Sequence, residues 1–350
     1  MSLRLLSKRG SLQESVGDMT AYTDVTTALI KKTRAREEAL GLRDDACRSR
    51  FLLQPNATPK VVVFFHGFTA APAQFDAIGD AFFQAGYNVL IPLMPGHGQA
   101  GDWNDDNPPP LPENPHIYQE FGQNWLENAQ SLGDRVLVGG LSGGSTLAAW
   151  LALEHPQQVD RGLLFAPYLS GTNALVDWVV ERMNVYFEWK TQPGVVGFGY
   201  SGFHMPALRV FLDLGQQILD RAQVQPSAPL LIVSSAGDSA VDSEEHQQLF
   251  QAALKFQPKC WYHCFNRKLA IPHNMMTQLE GNQYADLPIA LAKAYAESNL
   301  TWNAITTFSE RLQQGEAFET IAKQLDLSPS LSPDLPSMLM TLRLLADDIA

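Results

Sequence analysis

The chain of 350 residues is 45% hydrophobic and 18% charged, a globular composition with room for one large α/β domain carrying insertions, or for two domains. Its 37 acidic against 25 basic residues leave a net charge of −12, which speaks against general binding to nucleic acid. Cys47, Cys260 and Cys264 form neither an even framework nor a metal-ligand spacing, and there is no run approaching ~18 apolar residues and no signal-peptide core. The expectations are therefore no structural disulfide, no stable membrane insertion and a cytoplasmic location.

Residues 1–60 are locally basic, with 11 Lys and Arg against 7 Asp and Glu. Glu37, Glu38, Asp44 and Asp45 interrupt that charge, so the segment reads as a solvated helix face rather than a membrane anchor. Residues 1–20 read as poorly structured. From Asp24, an N-cap candidate, Val25, Leu29 and Leu40 fall at helical spacing and predict one helix to about Leu40, closed by Gly41. Residues 49–53 and 60–65 then read as a hairpin across the Pro, Asn and Thr of 54–59, its second strand too apolar to be exposed on either face. That strand ends in His66-Gly67-Phe68-Thr69-Ala70 and is followed by a helix over 72–85. After Gly86 a further strand, 87–91, runs into Pro92 and the turn Pro95-Gly96-His97-Gly98. Apolar strands alternating with helices indicate a parallel sheet covered on both faces.

The stretch from Arg135 to Trp150, RVLVGGLSGGSTLAAW, reads as strand, tight turn and helix. Glycine two before and two after Ser142 lets strand and helix nearly touch, because a Cβ at either place would collide across the bend. Ser142 is left at the tip in a strained conformation, its hydroxyl unencumbered and the helix N-terminus behind it. With HGFTAAPAQF and GYNVLIPLMPGHG upstream, GLSGGST completes three motifs in order over about 100 residues, and together they resemble the bacterial carboxylesterase and monoacylglycerol lipase branch of the α/β-hydrolase superfamily.

The resemblance implies an α/β-hydrolase fold: a mainly parallel central sheet with helices on both faces, a helical cap insertion and, in this chain, an extra helical C-terminal tail. It also implies a serine hydrolase that cleaves carboxylic esters through a Ser-His-Asp triad and an acyl-enzyme, with no metal or organic cofactor. Ser142 takes the place of the nucleophile, and the backbone N–H groups of Phe68 and Gly143 take the places of the oxyanion-hole donors. His66 reads as a brace for that loop and His97 as a turn residue. A thioesterase, acyltransferase or amidase would use the same machinery, and the alternative from another class is an interaction protein that retains the fold without chemistry.

Beyond the strand at 161–165, the segment 171–226 breaks the βα rhythm. Trp178, Tyr186, Phe187, Trp189, Phe198, Tyr200 and Phe203, with Gly194, Gly197, Gly199 and Gly202 between them, suggest a cap lining an apolar acyl or alcohol pocket, with 192–202 as its mobile part. The core resumes at 229–233. By the family's order of serine, acid and histidine, Asp238 at that strand's end is the acid; Asp242 is the alternative, although it also reads as a helix N-cap. His273, on a loop beyond the last strand (259–265), is the base, whereas His263 alternates with Trp261 and Phe265 inside that strand. The family usually has an open Gly-His turn here, and this chain has Pro272. The organisation is then 1–48 helical extension, 49–170 and 227–299 hydrolase core, 171–226 cap, and 300–350 helical tail. Helix-turn-helix-like spacing in the tail comes with three basic residues against seven acids, the wrong sign for a phosphate backbone. Ile305, Leu312, Phe318, Ile321 and Leu325 are expected to pack on the core or on a second copy of the chain. The partner expected from all this is a small-molecule ester with an apolar acyl group.

Overall fold

The computed structural model describes residues 4–170, 181–189 and 194–347. In chain order the strands are β1 (Arg50–Leu52), β2 (Lys60–Phe65), β3 (Asn88–Ile91), β4 (Arg135–Leu141), β5 (Arg161–Phe165), β6 (Tyr186–Glu188), β7 (Gly202–His204), β8 (Leu230–Ser235) and β9 (Trp261–Phe265). Seven of them form the central sheet in the order β1-β3-β2-β4-β5-β8-β9, parallel throughout except for β1, while β6 and β7 form a separate antiparallel pair. No residue of β3, β5 or β8 is exposed, so both faces of the sheet are covered. The covering helices include α2 (Asp76–Gln84), α3 (Pro115–Gln130), α4 (Gly143–Glu154), α5 (Met205–Ala222), α6 (Ser243–Leu254) and α7 (Asp286–Glu297).

The expected hairpin does not form. β1 pairs antiparallel with β3 through Arg50–Ile91, Phe51–Leu90 and Leu52–Val89, whereas β2 lies between β3 and β4 and runs parallel to both. The cause is burial: Val61 to Phe65 are fully buried and need a partner strand on each side, and a hairpin would have taken the place of β3. Asn88 fixes the alternative, its Oδ1 accepting from Gln54 N–H at 2.9 Å and from Tyr22 O–H at 2.8 Å.

The N-terminal helix α1 (Arg4–Leu40) begins well before Asp24, so for residues 4–20 the poorly structured reading is corrected to helix, residues 1–3 lying outside the described residues. Nor is its acidic residue Glu37 solvated. Glu37 is buried, with Oε1 accepting from Ser49 N–H at 2.8 Å and Oε2 from Arg34 at 2.9 Å, which ties the helix to the chain entering β1. At the other end, α8 (Trp302–Gln313), α9 (Phe318–Gln324) and α10 (Leu335–Asp347) follow the core, and Ile305, Phe308, Ile321 and Leu335 are buried within this chain. No helix among the described residues is long and apolar enough to cross a membrane.

Candidate active site

The turn between β4 and α4 has the geometry that its glycines require. Ser142 sits at φ 55°, ψ −122°, a backbone strain that L-residues tolerate only when their surroundings enforce it. A Cβ on Gly140 would lie 2.4 Å from the Gly144 backbone, and one on Gly144 would lie 2.2 Å from Phe65 O. The Ser142 backbone is held on three sides: its N–H donates to Phe165 O at 3.0 Å, and its carbonyl accepts from Thr146 N–H at 2.9 Å and Tyr168 N–H at 3.3 Å. The side chain is partly exposed, and its Oγ makes no hydrogen bond among the described residues.

The acid and the imidazole meet beyond the ends of β8 and β9. His273 Nδ1 lies 2.7 Å from Asp238 Oδ2, and Asp238 Oδ1 accepts from Ala240 N–H at 2.7 Å. Burial acts to raise the Asp238 carboxyl, but the charge and hydrogen bond of His273 outweigh it and hold it below its ordinary value. Burial likewise acts to lower His273, and the Asp238 carboxylate reverses this, leaving the imidazole raised. An ionised carboxylate can only accept, so Nδ1 carries the proton and Nε2 keeps its lone pair. Asp242 does something else: it caps α6, its Oδ1 accepting from Glu244 N–H at 2.8 Å. His263 stays in β9 with its ring 4.6 Å from that of Phe265, and burial pushes it down to about 4.

Pro272 is accommodated by its neighbours. Ala270 takes a left-handed conformation at φ 48°, Ser235 Oγ donates to Ile271 O at 2.7 Å, and Met275 N–H donates back to His273 O at 2.8 Å. The structure thus joins Asp238 to His273, while no hydrogen bond links Ser142 Oγ to the imidazole. In unliganded sites such bonds are commonly long, tightening only around the substrate.

A residue that sequence reasoning missed lies between these pieces. His246 on α6 is buried, its Nδ1 2.7 Å from Ser234 Oγ and its Nε2 2.7 Å from Pro167 O. A carbonyl only accepts, so Nε2–H donates to Pro167 and Nδ1 accepts from the Ser234 hydroxyl. Burial pushes the ring down to about 4, so it is neutral near pH 7. Pro167 precedes Tyr168, whose N–H holds the Ser142 carbonyl, so His246 braces the elbow from the side of the acid. The signal was available: His246, Leu249, Phe250 and Ala253 share one face at helical spacing, which marks His246 as buried.

The loop after β2 is built around two buried neutral histidines. His66 Nδ1–H donates to Gly67 O at 2.9 Å and its Nε2 accepts from Met94 N–H at 3.1 Å. His97 Nδ1–H donates to Pro95 O at 2.9 Å and its Nε2 accepts from Thr69 N–H at 3.1 Å. Burial lowers both, His97 to about 4. His97 therefore does more than turn the chain, because it holds Thr69 at φ 64°. Gly67 N–H donates to Gln74 Oε1 at 2.8 Å. Between these anchors, Phe68 N–H has no acceptor among the described residues, and neither does Gly143 N–H in the first turn of α4.

Four residues of the 171–226 segment, Trp189, Tyr200, Phe203 and Phe211, reach this loop. Trp189 Nε1–H donates to Thr69 Oγ1 at 2.8 Å and Tyr200 N–H to Thr69 O at 2.8 Å. Phe68 packs edge-on against Phe203 and Phe211, with ring centroids at 4.9 and 5.5 Å, and a Cβ on Gly143 would lie 3.1 Å from the Phe211 ring. Both unpaired N–H groups thus border an aromatic wall. Trp178 and residues 192–193, expected in the cap, lie outside the described residues. A cavity of about 440 Å³ also opens at the opposite end of the sheet, between Tyr22, Pro59 and Leu132. It adjoins the start of β4, a strand of seven residues, and so lies roughly 20 Å from Ser142.

Residues 60–203 match the family model described as the alpha/beta hydrolase fold. The chain has the α/β-hydrolase fold. Two curated proteins that it resembles carry esterase or lipase names. It is 30% identical over 140 residues to "Putative esterase/lipase 3" of Mycoplasma pneumoniae, an alignment covering 39% of this chain and 48% of that protein. It is 33% identical over 98 residues to the "Thermostable monoacylglycerol lipase" of Bacillus sp. strain H-257, covering 28% and 37%. The chain thus spans less than half the length of these curated relatives. The solved monoacylglycerol lipase of Paleococcus ferrophilus superposes with a TM-score of 0.52 at 15% identity, covering 67% of this chain and 94% of that one, a likeness of fold.

Proposed function

We propose that the chain is a serine hydrolase of carboxylic esters with an apolar acyl group, in which Ser142, His273 and Asp238 form the triad and the N–H groups of Phe68 and Gly143 form the oxyanion hole. The observation that carries this reading is the 2.7 Å Asp238–His273 pair, located with a strained elbow serine and two unpaired N–H groups at the C-terminal ends of the sheet strands.

Ser142 Oγ attacks the ester carbonyl carbon as its proton passes to His273 Nε2, and the carbonyl electron pair moves onto oxygen, where the two N–H donors receive it. Collapse of this intermediate breaks the carbon–alkoxy bond, the alcohol leaves with the proton from Nε2, and the acyl group stays on Ser142. Water, deprotonated by the same nitrogen, repeats the sequence and releases the acid. Asp238 keeps the proton on Nδ1 and balances the imidazolium. The buried rings of Phe68, Phe203 and Phe211 make the surroundings of the donors apolar, which supports the preference for an apolar acyl group.

A fluorophosphonate probe is expected to label the protein, and Ser142→Ala to abolish labelling. A panel of p-nitrophenyl esters run beside acyl-CoA and amide substrates is expected to give fastest turnover on an ester. Folded wild-type protein that takes no label, or amides that outrun every ester, would overturn the reading.

A further inference from the structure

Glu280 is a buried acid that the chemistry above does not use. It sits at the end of a short 3-10 turn (Gln278–Glu280) far along the chain from the loop after β2. Both of its carboxyl oxygens face one nitrogen: Gln74 Nε2 lies 2.9 Å from Oε1 and 3.1 Å from Oε2. The other end of the same amide, Gln74 Oε1, accepts the N–H of Gly67. A continuous relay thus runs from Glu280 through Gln74 to the His66–Gly67 peptide, one unit before the peptide that carries Phe68 N–H and whose carbonyl, Gly67 O, accepts from His66 Nδ1–H. Gln74 has a free rotation about its terminal bond, and only a second partner that accepts from Nε2 fixes which of its ends faces Gly67.

We propose that Glu280 is a positioning residue of the oxyanion hole, acting through Gln74 on the His66–Gly67 peptide and so, together with His66 on Gly67 O, setting the direction of Phe68 N–H. This deepens the serine-hydrolase reading and rests on it. An oxyanion donor is effective only when it is aimed at the oxygen's place in the tetrahedral intermediate. Gly67 carries no side chain to anchor it, and a Cβ there would lie 3.2 Å from Gln74 Oε1, so the loop takes its orientation from its neighbours.

The groups facing Glu280 are neutral. Gln74 approaches from the turn before α2. His66, in the loop that Gln74 holds, is buried and neutral, with both ring nitrogens occupied. The 194–196 segment offers Val195 and Val196, the latter bonded through its N–H to Leu279 O. Burial therefore pushes the carboxyl up to about 8, opposed by the Gln74 hydrogen bond. Near pH 7 the acid is largely protonated, and it ionises only under alkaline conditions.

The test uses the full chain as wild type, Glu280→Ala and Glu280→Gln. In Glu280→Ala, kcat on an activated ester is expected to fall about 10- to 100-fold with KM within about threefold. A trifluoromethyl ketone, which forms an oxyanion on the enzyme, should lose affinity by a similar factor. Glu280→Gln keeps an acceptor for Gln74 Nε2 and should restore most of kcat. The Gly67 amide resonance should titrate between about pH 6 and 9 in wild type and stay unmoved in Glu280→Gln. Wild-type kcat in Glu280→Ala, equal impairment in both variants, or a Gly67 resonance indifferent to pH would each overturn the proposal. If Glu280→Ala does not fold, the Gly67 titration and Glu280→Gln still decide it. Failure of the hydrolase reading would show differently, as unlabelled wild type with no turnover, which leaves the Gly67 titration intact.

Discussion

At the residue scale, the pair with the sharpest consequence is Asp238 and His273. The carboxylate leaves the imidazole raised, and in the proposed triad His273 acts as base only when neutral. Activity should therefore fall as pH drops through a value above the ordinary histidine range near 6.5, since protonating Nε2 removes the acceptor for the serine proton. Asp238→Asn should lose about four orders of magnitude in kcat, because an amide can donate to Nδ1 and stabilise the wrong tautomer. What activity remains should show its acid limb at lower pH than in wild type. A pH–rate profile of kcat/KM for both proteins checks this, and an unshifted limb would separate Asp238 from the base. The Asp238–His273 pair and the bend at Ser142 were legible because each residue follows an apolar strand, where a loop can project a side chain. His246 and Gln74 were not, because what matters about them is which buried polar groups they pair with, and those partners lie far away in sequence.

At the element scale, the strand-to-helix bend makes a prediction that distinguishes adjacent glycines. A Cβ at Gly144 would meet Phe65 O at 2.2 Å, backbone of a buried strand that cannot give way. A Cβ at Gly143 would meet the Phe211 ring at 3.1 Å, a side chain able to shift by a few tenths of an ångström. Gly144→Ala should therefore destabilise by more than about 3 kcal/mol, whereas Gly143→Ala should fold with a loss of about 1 kcal/mol. Chemical denaturation of both checks the ranking, and equal losses would mean that the bend is softer than its contacts imply. The elbow was readable because its constraint is local. The partner of β1 was not, because the short runs at 50–52 and 60–65 are equally compatible with a hairpin and with an intervening strand. The choice is made by the double-sided burial of Val61 to Phe65, which required β3 and β4 as neighbours. The same limit applied to the loop at Thr69, whose partners Trp189 and Tyr200 arrive from more than a hundred residues downstream.

At the scale of the whole molecule, the N-terminal segment is part of the load path to the candidate site rather than an appendage. After α1, Arg43 N–H donates to Gly98 O and Ala100 N–H to Gly41 O, both at 2.9 Å, and the Arg43 guanidinium reaches Gly199 O. The chain leaving α1 is thereby stitched to the loop that holds His97 and to the segment that holds Thr69. A local basic excess suggested a solvated face, because net charge says nothing about which single acid turns inward. Glu37 turns inward, and its removal should expose the dependence. Glu37→Ala leaves Ser49 N–H without an acceptor in a buried place and takes the partner from Arg34, a loss of about 2 to 3 kcal/mol. In a chain of this size that lowers Tm by several degrees. Far below Tm, ester turnover per folded molecule should stay close to wild type, since Glu37 touches none of the groups around Ser142. Differential scanning calorimetry beside active-site titration separates the two effects. An unchanged Tm would mean that α1 contributes little to the folded core, and a drop in turnover per titrated site would mean that the stitching at Gly41 to Arg43 transmits the damage into the loop that carries Phe68.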